Sequence, residues 1–252
     1  MNECRLIVEG VPATETFQYS GVANMAIDET LLRTAADTGA ATLRFYGWKP
    51  ATLSLGYFQK ISDRVGHAAS LGCEVVRRTS GGGAILHDRE LTYCFATPAK
   101  TRFGDPQDFY LAFHETLVEV FRDLGVYFDL YPLDASRRDE AFLCFQRRSQ
   151  GDVVLGEYKV AGSAQRRWRN ALLQHGSLLL AQSAYAPELP GLQELASLLN
   201  VDNSTLIRLW QRKLALRLKT EFVPEGLADK ELELARRLAE DKFSRGSWTN
   251  RR

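Results

Sequence analysis

The sequence predicts an α+β fold, with a mostly antiparallel or mixed central sheet flanked by helices. Three observations predict it. Short apolar runs punctuated by glycine and proline turns fill much of residues 42–180, two segments of helical periodicity accompany them, and the pattern turns helical after Pro187. The first helix is expected over residues 24–36, where Met25, Ile27, Leu31 and Leu32 share a stripe, Asn24 is placed to cap, and Gly39 lies just beyond the end. Residues 42–46 and 51–55 read as strands joined by a turn through Gly47 and Pro50. Residues 74–77 and 84–86 read as strands on either side of Ser80-Gly81-Gly82-Gly83, and residues 91–96 add another. A second helix over 106–124 carries Phe109, Phe113, Leu117, Val120 and Phe121 at helical spacing, with Gly125 as its C-cap. Strands are expected again at 126–131, 152–155, 158–161 and 171–180, with a turn at Gly156-Glu157. Helices over 192–199, 204–216 and 229–242 complete the chain. No repeat, low-complexity tract or long linker divides it, so one unit over 1–252 with a helical C-terminal tail from about residue 187 is expected.

Composition narrows the function. With 45% hydrophobic and 25% charged residues the chain is ordinary globular material. A formal charge of +1 argues against bulk nucleic-acid binding and against a polybasic membrane protein. The first residues lack a basic stretch followed by an apolar one, and no apolar run approaches the roughly 18 residues of a membrane span. A cytoplasmic, soluble protein without membrane or nucleic-acid partners is expected. The four cysteines, Cys4, Cys73, Cys94 and Cys144, form no Cys-x-x-Cys pair, which suggests neither zinc nor a disulfide framework. Cys73 and Cys94 read as packing residues, and Cys4 lies in a terminus expected to fray.

Gly81-Gly82-Gly83 is the most unusual stretch. Glycine is costly inside or beside strands, so something must approach that backbone closely. The segment lacks a following Gly-Lys-Ser/Thr and opens no helix, so it is neither a Walker loop nor a dinucleotide fingerprint. Bare N–H groups there could line a carbonyl or phosphate oxygen, or let a thin acyl chain pass; a flexible hairpin is the alternative.

The residues from Arg77 to Asp88, Arg-Arg-Thr-Ser-Gly-Gly-Gly-Ala-Ile-Leu-His-Asp, resemble the signature of the lipoate-protein ligase, octanoyltransferase and biotin-protein ligase superfamily. Asn24-Met-Ala-Ile-Asp28 resembles its first helix, and Leu43-Arg-Phe-Tyr-Gly-Trp48 and Leu53-Ser-Leu-Gly-Tyr-Phe-Gln59 its next strands. Lys159-Val-Ala-Gly-Ser-Ala-Gln165 is similar to its lysine motif, and Gln174-His-Gly-Ser177 to the strand after it. The resemblance implies a ligase-like catalytic domain of the class II synthetase type. It further implies substrate contacts at Arg77, Ser80, Gly81, Gly82, Gly83, His87, Gly162, Ser163, Ala164 and His175, and an invariant lysine, Lys159, on the acyl carbonyl or acyl-adenylate.

Lys159 can polarise a carbonyl, favour a thiolate, or exchange a proton. Cys144, fifteen positions earlier, is the thiol with the best functional case, because a nearby lysine stabilises a thiolate. Its apolar neighbours Phe142 and Phe145 offer the alternative of a buried hydrophobe. In one octanoyltransferase branch of the superfamily a Cys-Phe pair upstream of the lysine motif supplies the nucleophile, which the resemblance places on Cys144. His87 and His175 read as wall or hydrogen-bonding residues, since no metal-ligand spacing surrounds them.

Arg89-Glu90-Leu91-Thr92-Tyr93 looks like the cysteine-dependent transferases, whereas Ser80-Gly81-Gly82-Gly83 is similar to the ligase form. The implied activity is octanoyl transfer from acyl carrier protein, through a cysteine thioester, to a lysine of a lipoyl domain, on a 2-oxoacid dehydrogenase or the glycine cleavage H protein. No cofactor is then needed. The rivals are a lipoate-protein ligase using ATP and Mg²⁺, an amidotransferase between lipoyl-bearing proteins, and a non-catalytic carrier-binding module. Arg137, Arg138, Arg147, Arg148, Arg166, Arg167 and Arg169 could form a positive face for an acidic partner, or be merely solvated.

Overall fold

A computed structural model describes residues 2–9, 19–99, 106–132, 141–196 and 201–252. In chain order it holds β1 (Asn2–Glu9), α1 (Gly21–Thr38), β2 (Thr42–Tyr46), β3 (Thr52–Leu55), β4 (Glu74–Arg77), β5 (Ile85–His87) and β6 (Glu90–Pro98). There follow α2 (Pro106–Asp123), β7 (Asp129–Leu130), β8 (Val153–Leu155), β9 (Tyr158–Trp168) and β10 (Ala171–Leu179). The remainder is α3 (Leu192–Leu195), α4 (Asn203–Leu218), β11 (Thr220–Pro224), α5 (Asp229–Leu238) and α6 (Gly246–Thr249). The large sheet runs β11-β1-β2-β6-β10-β9-β8-β7, and a small one runs β4-β3-β5. β1 is parallel to both neighbours and the other pairs of the large sheet are antiparallel, so the sheet is mixed.

Alternation along the central strands explains why both faces are covered. Leu43, Phe45, Tyr93 and Phe95 point to a core shared with α2 and α4, whereas Tyr46, Cys94 and Ala96 point to a second core under α1 and α5. The stripe Phe109, Phe113, Leu117, Val120 and Phe121 is buried as its spacing predicts. Each such side chain contributes about 1.5–3 kcal/mol by leaving water. Trp210 of α4 closes this core, edge-on to Tyr93 and hydrogen-bonded through Nε1 to Thr116 at 3.1 Å.

Several boundaries differ from the sequence reading. Ser20, not Asn24, caps α1, its hydroxyl accepting from the Ala23 N–H. Asn24 lies inside the helix and is buried, donating to the Gly47 carbonyl at 3.0 Å. β1 is a strand of the large sheet and Cys4 is 1% exposed within its core, so that end is not frayed. The C-terminal run is not wholly helical, because β11 pairs with β1. β11 is only five residues long, too short for period-two alternation to stand out between two helices. The strand expected at 126–131 shrinks to Asp129–Leu130, and part of the helix expected over 192–199 lies outside the described residues.

Candidate active site

A cavity of about 300 Å³ opens where β9, the glycine loop and the turn after Leu143 converge. Cys144, Lys159, Asp152, Tyr110, Gly82 and Ser163 are among its walls. The lysine arrives there through a hairpin irregularity. Gly156 supplies the positive φ (+58°) of the β8–β9 turn, and the register then slips between Val153 and Val154, which re-aims the start of β9.

Lys159 Nζ lies 2.8 Å from Asp152 Oδ2 and 3.8 Å from Cys144 Sγ. Burial opposes its charge, but the Cys144 sulfur and the Asp152 carboxylate outweigh burial and hold the ammonium above the ordinary lysine range. Asp152 is itself fixed, accepting from the Tyr110 hydroxyl and from the Ser149 N–H, each at 2.7 Å. Gly162 makes room for this cation: a Cβ there would sit 2.3 Å from Lys159 Cε. The small residue after the lysine is thus required by the lysine itself.

Cys144 opens a single 3₁₀ turn and is half-buried, while Leu143 and Phe145 beside it are buried. Its backbone is clamped to the strand that leaves the glycine loop: Ala84 N donates to Phe142 O at 3.0 Å, and Cys144 N donates to Ala84 O at 2.7 Å. A Cβ on Gly83 would stand 3.0 Å from Cys144 N, and one on Gly56 would stand 2.0 Å from the Gly82 carbonyl oxygen. The close approach that the glycines imply is therefore made, in part, by the protein's own cysteine segment. Gly81 meets nothing within 4 Å, and Gly82 adopts a positive φ of +92°.

Arg78, which the sequence reading passed over, organises the loop from below. Its NH2 donates to the Gly81 and Gly83 carbonyls at 2.8 and 2.6 Å, and its NH1 to Ser54 O at 2.9 Å. Burial pulls it down to about 10, against the pull of the nearby Cys144 sulfur. Arg77, the expected substrate contact, is turned away and is not among the cavity walls. It donates to the carbonyls of Gly56, Gln59 and Thr249, because strand alternation sends neighbouring side chains to opposite faces.

The remaining expected contacts divide similarly. Gly82, Gly162, Ser163 and Ala164 reach the cavity; Ser80, Gly81, Gly83, His87 and His175 stand behind it. His175 bridges Ser80 Oγ at 2.5 Å and Asp28 Oδ2 at 3.0 Å, tying the loop to α1. His87 is stacked on Trp48 and lies between Ser54 and Glu90, and burial lowers its pKa although Glu90 opposes the shift. Asp152 and Tyr110 were missed because a carboxylate at a turn and an aromatic on an amphipathic helix carry no local signature.

Most of the arginines that the sequence groups have individual surroundings of their own. Arg147 donates to Ala141 O and Arg148 to Glu157 O, Arg167 is exposed, Arg169 pairs with Asp37 at 3.4 Å, and Arg137 and Arg138 lie outside the described residues. One of that set, Arg166, joins Arg251 and Arg252 around aromatic rings beside the glycine loop. Arg166 and Arg251 lie over Tyr57, Arg251 also over Trp248, and Arg252 over the exposed Phe58; none of the three has an ion-pair partner among the described residues.

The octanoyltransferase LipM of Brevibacillus brevis is 31% identical over 94% of this chain and 97% of its own. The octanoyltransferase LipM of Bacillus subtilis is 30% identical over 91% of this chain and 94% of its own. Among solved structures, the lipoate protein ligase of Thermoplasma acidophilum, studied as a bipartite enzyme with its E2 lipoyl domain, superposes with a TM-score of 0.76. That match covers 99% of this chain and 97% of the other at 21% identity, which speaks to the fold alone. Residues 20–212 match the lipoyl protein ligase A/B catalytic domain, a span that holds both Cys144 and Lys159, and the chain belongs to that family.

Proposed function

We propose that this protein is an octanoyltransferase that moves an octanoyl group from acyl carrier protein, through Cys144, to the ε-amine of a lysine on a lipoyl domain. The observation that carries the reading is the half-buried Cys144 sulfur 3.8 Å from the Lys159 ammonium in one cavity. The LipM relatives, aligned along most of the chain, support the same chemistry.

The geometry supports two half-reactions. The ammonium favours the thiolate of Cys144, which attacks the octanoyl carbonyl; the new C–S bond forms as the carrier's C–S bond breaks and its thiolate leaves. An ammonium has three N–H bonds. One faces Asp152 and one faces the sulfur, so the third is left for the carbonyl oxygen as it gains charge. The Cys144 N–H takes no part, since Ala84 O already occupies it. In the second half-reaction the acceptor amine attacks, the C–N bond forms, the C–Sγ bond breaks, and a proton from nitrogen returns to sulfur. The thioester already stores the activation, so this route uses neither ATP nor Mg²⁺.

The arginines mounted on Tyr57, Phe58 and Trp248 give an acidic carrier a place to dock close to the loop. The acceptors on this reading are lipoyl domains of 2-oxoacid dehydrogenases or the H protein of glycine cleavage. Incubation with octanoyl-acyl carrier protein, without nucleotide, should add one octanoyl mass to Cys144 in intact-protein mass spectrometry. Absence of the adduct together with lipoate-dependent pyrophosphate release from ATP would identify a ligase instead. An adduct formed from an octanoylated lipoyl protein, but not from the carrier, would identify an amidotransferase.

A further inference from the structure

Ser163 reaches the cavity, yet its hydroxyl proton is committed elsewhere. It belongs to a hydrogen-bonded chain of side chains from α2, β6, β9 and β10, whose two ends are main-chain carbonyls that can only accept. At one end Gln165 Nε2 donates to Pro106 O at 2.6 Å and to Gln174 Oε1 at 2.8 Å. That fixes the Gln174 amide, whose Nε2 donates to the Tyr93 hydroxyl at 2.7 Å. The Tyr93 proton is thereby directed to Ser163 Oγ, also 2.7 Å away. At the other end His114 Nδ1 lies 2.6 Å from Gly151 O and so carries a proton, while its Nε2 faces Ser163 Oγ at 2.7 Å. His114 is 1% exposed, and burial holds its pKa at about 4, so the ring is neutral and Nε2 accepts.

The chain therefore has one polarity from Gln165 to Gly151. Ser163 gives its proton to His114 and accepts from Tyr93, which leaves its oxygen a single lone pair and no proton for any further partner. A hydroxyl free to donate there would hydrogen-bond to the lone pair of an entering amine, the very electrons that must attack. An oxygen that can only accept takes an N–H of the amine instead and leaves that lone pair free.

We infer that Ser163 Oγ accepts an N–H of the acceptor lysine in the second half-reaction and aims its nitrogen at the acyl carbon on Cys144, with His114 as the positioning residue that keeps the serine proton away. This rests on the transfer reading above. No proton is exchanged with Ser163: the C–N bond forms, the C–Sγ bond breaks, and the surplus proton of nitrogen goes to sulfur.

The two half-reactions separate the idea from its alternatives. Rapid-quench mass spectrometry on the full chain would follow loading of Cys144 from octanoyl-acyl carrier protein, and, with preloaded protein, single-turnover transfer to a lipoyl domain. Ser163→Ala should slow transfer by about 10- to 100-fold, as expected for one lost hydrogen bond to a developing charge, and slow loading by far less. His114→Gln, whose side-chain oxygen can take the serine proton while its amide reaches Gly151 O, should retain most of the transfer rate; His114→Leu should not. Equal slowing of loading and transfer in Ser163→Ala, transfer at the wild-type rate, or identical transfer by His114→Gln and His114→Leu would overturn the inference. Failure of the unmodified chain to load would instead reject the transfer reading on which it rests.

Discussion

Arg44 and Lys159, two cations buried against carboxylates among the described residues, have surroundings that give them opposite roles. Arg44 on β2 is fully enclosed: Nε meets Glu9 at 2.8 Å, NH1 meets Asp28 at 3.1 Å, NH2 meets Asn24 at 2.8 Å, and the plane lies 3.9 Å over Tyr46. Lys159 has one carboxylate, Asp152, and otherwise faces a thiol in a cavity. The first pair is saturated by the protein and fixes α1 against the sheet. The second is satisfied on one side only, and its unsatisfied side is where chemistry can occur. Burial of charge, then, does not mark a site; burial with a coordination place left open does.

The sharpest way to break this contrast is at the sulfur. Cys144→Ser should lower octanoyl transfer on the order of 10⁴-fold or more in a steady-state assay, with an unchanged circular dichroism spectrum. Next, Lys159→Met and Arg44→Met both strand a buried carboxylate, so each should lower the unfolding free energy by about 3–5 kcal/mol in urea titration. Only Lys159→Met should also slow acylation of Cys144 in the folded fraction, by about 10²–10³-fold; equal acylation rates in the two variants would erase the distinction. Gly162→Ala tests the same lysine sterically, since the added methyl displaces its Cε; a loss of about tenfold in acylation is expected. The smallest effect is at the rim. Arg251→Glu with Arg252→Glu should raise KM for the carrier protein several-fold with little change in kcat, and the difference should shrink in high salt.

Much of the fold was legible because periodicity is a local property. Residues 42–46 and 74–77 match β2 and β4 at both ends, and the stripe from Phe109 to Phe121 marks α2. β1 and β11 escaped because their strand character comes from parallel pairing with distant segments, β1 with β2 and β11 with β1 across more than two hundred residues. In the candidate site, Cys144 and Lys159 were readable through the family resemblance of their motifs, since apolar context alone left Cys144 open to a packing role, and the structure brings them together. Arg77 and Arg78 show the limit of such reading: two adjacent arginines are chemically identical in sequence, and only the pleat decides which supports the loop and which holds backbone on the far side. Asp152, Tyr110 and His114 were invisible because their partners lie on other elements.

The double backbone clasp of Ala84 on the cysteine segment has a mechanical corollary. Sulfur and glycine ribbon share one hinge, so anything that nudges the ribbon by an ångström also resets the gap between nucleophile and ammonium.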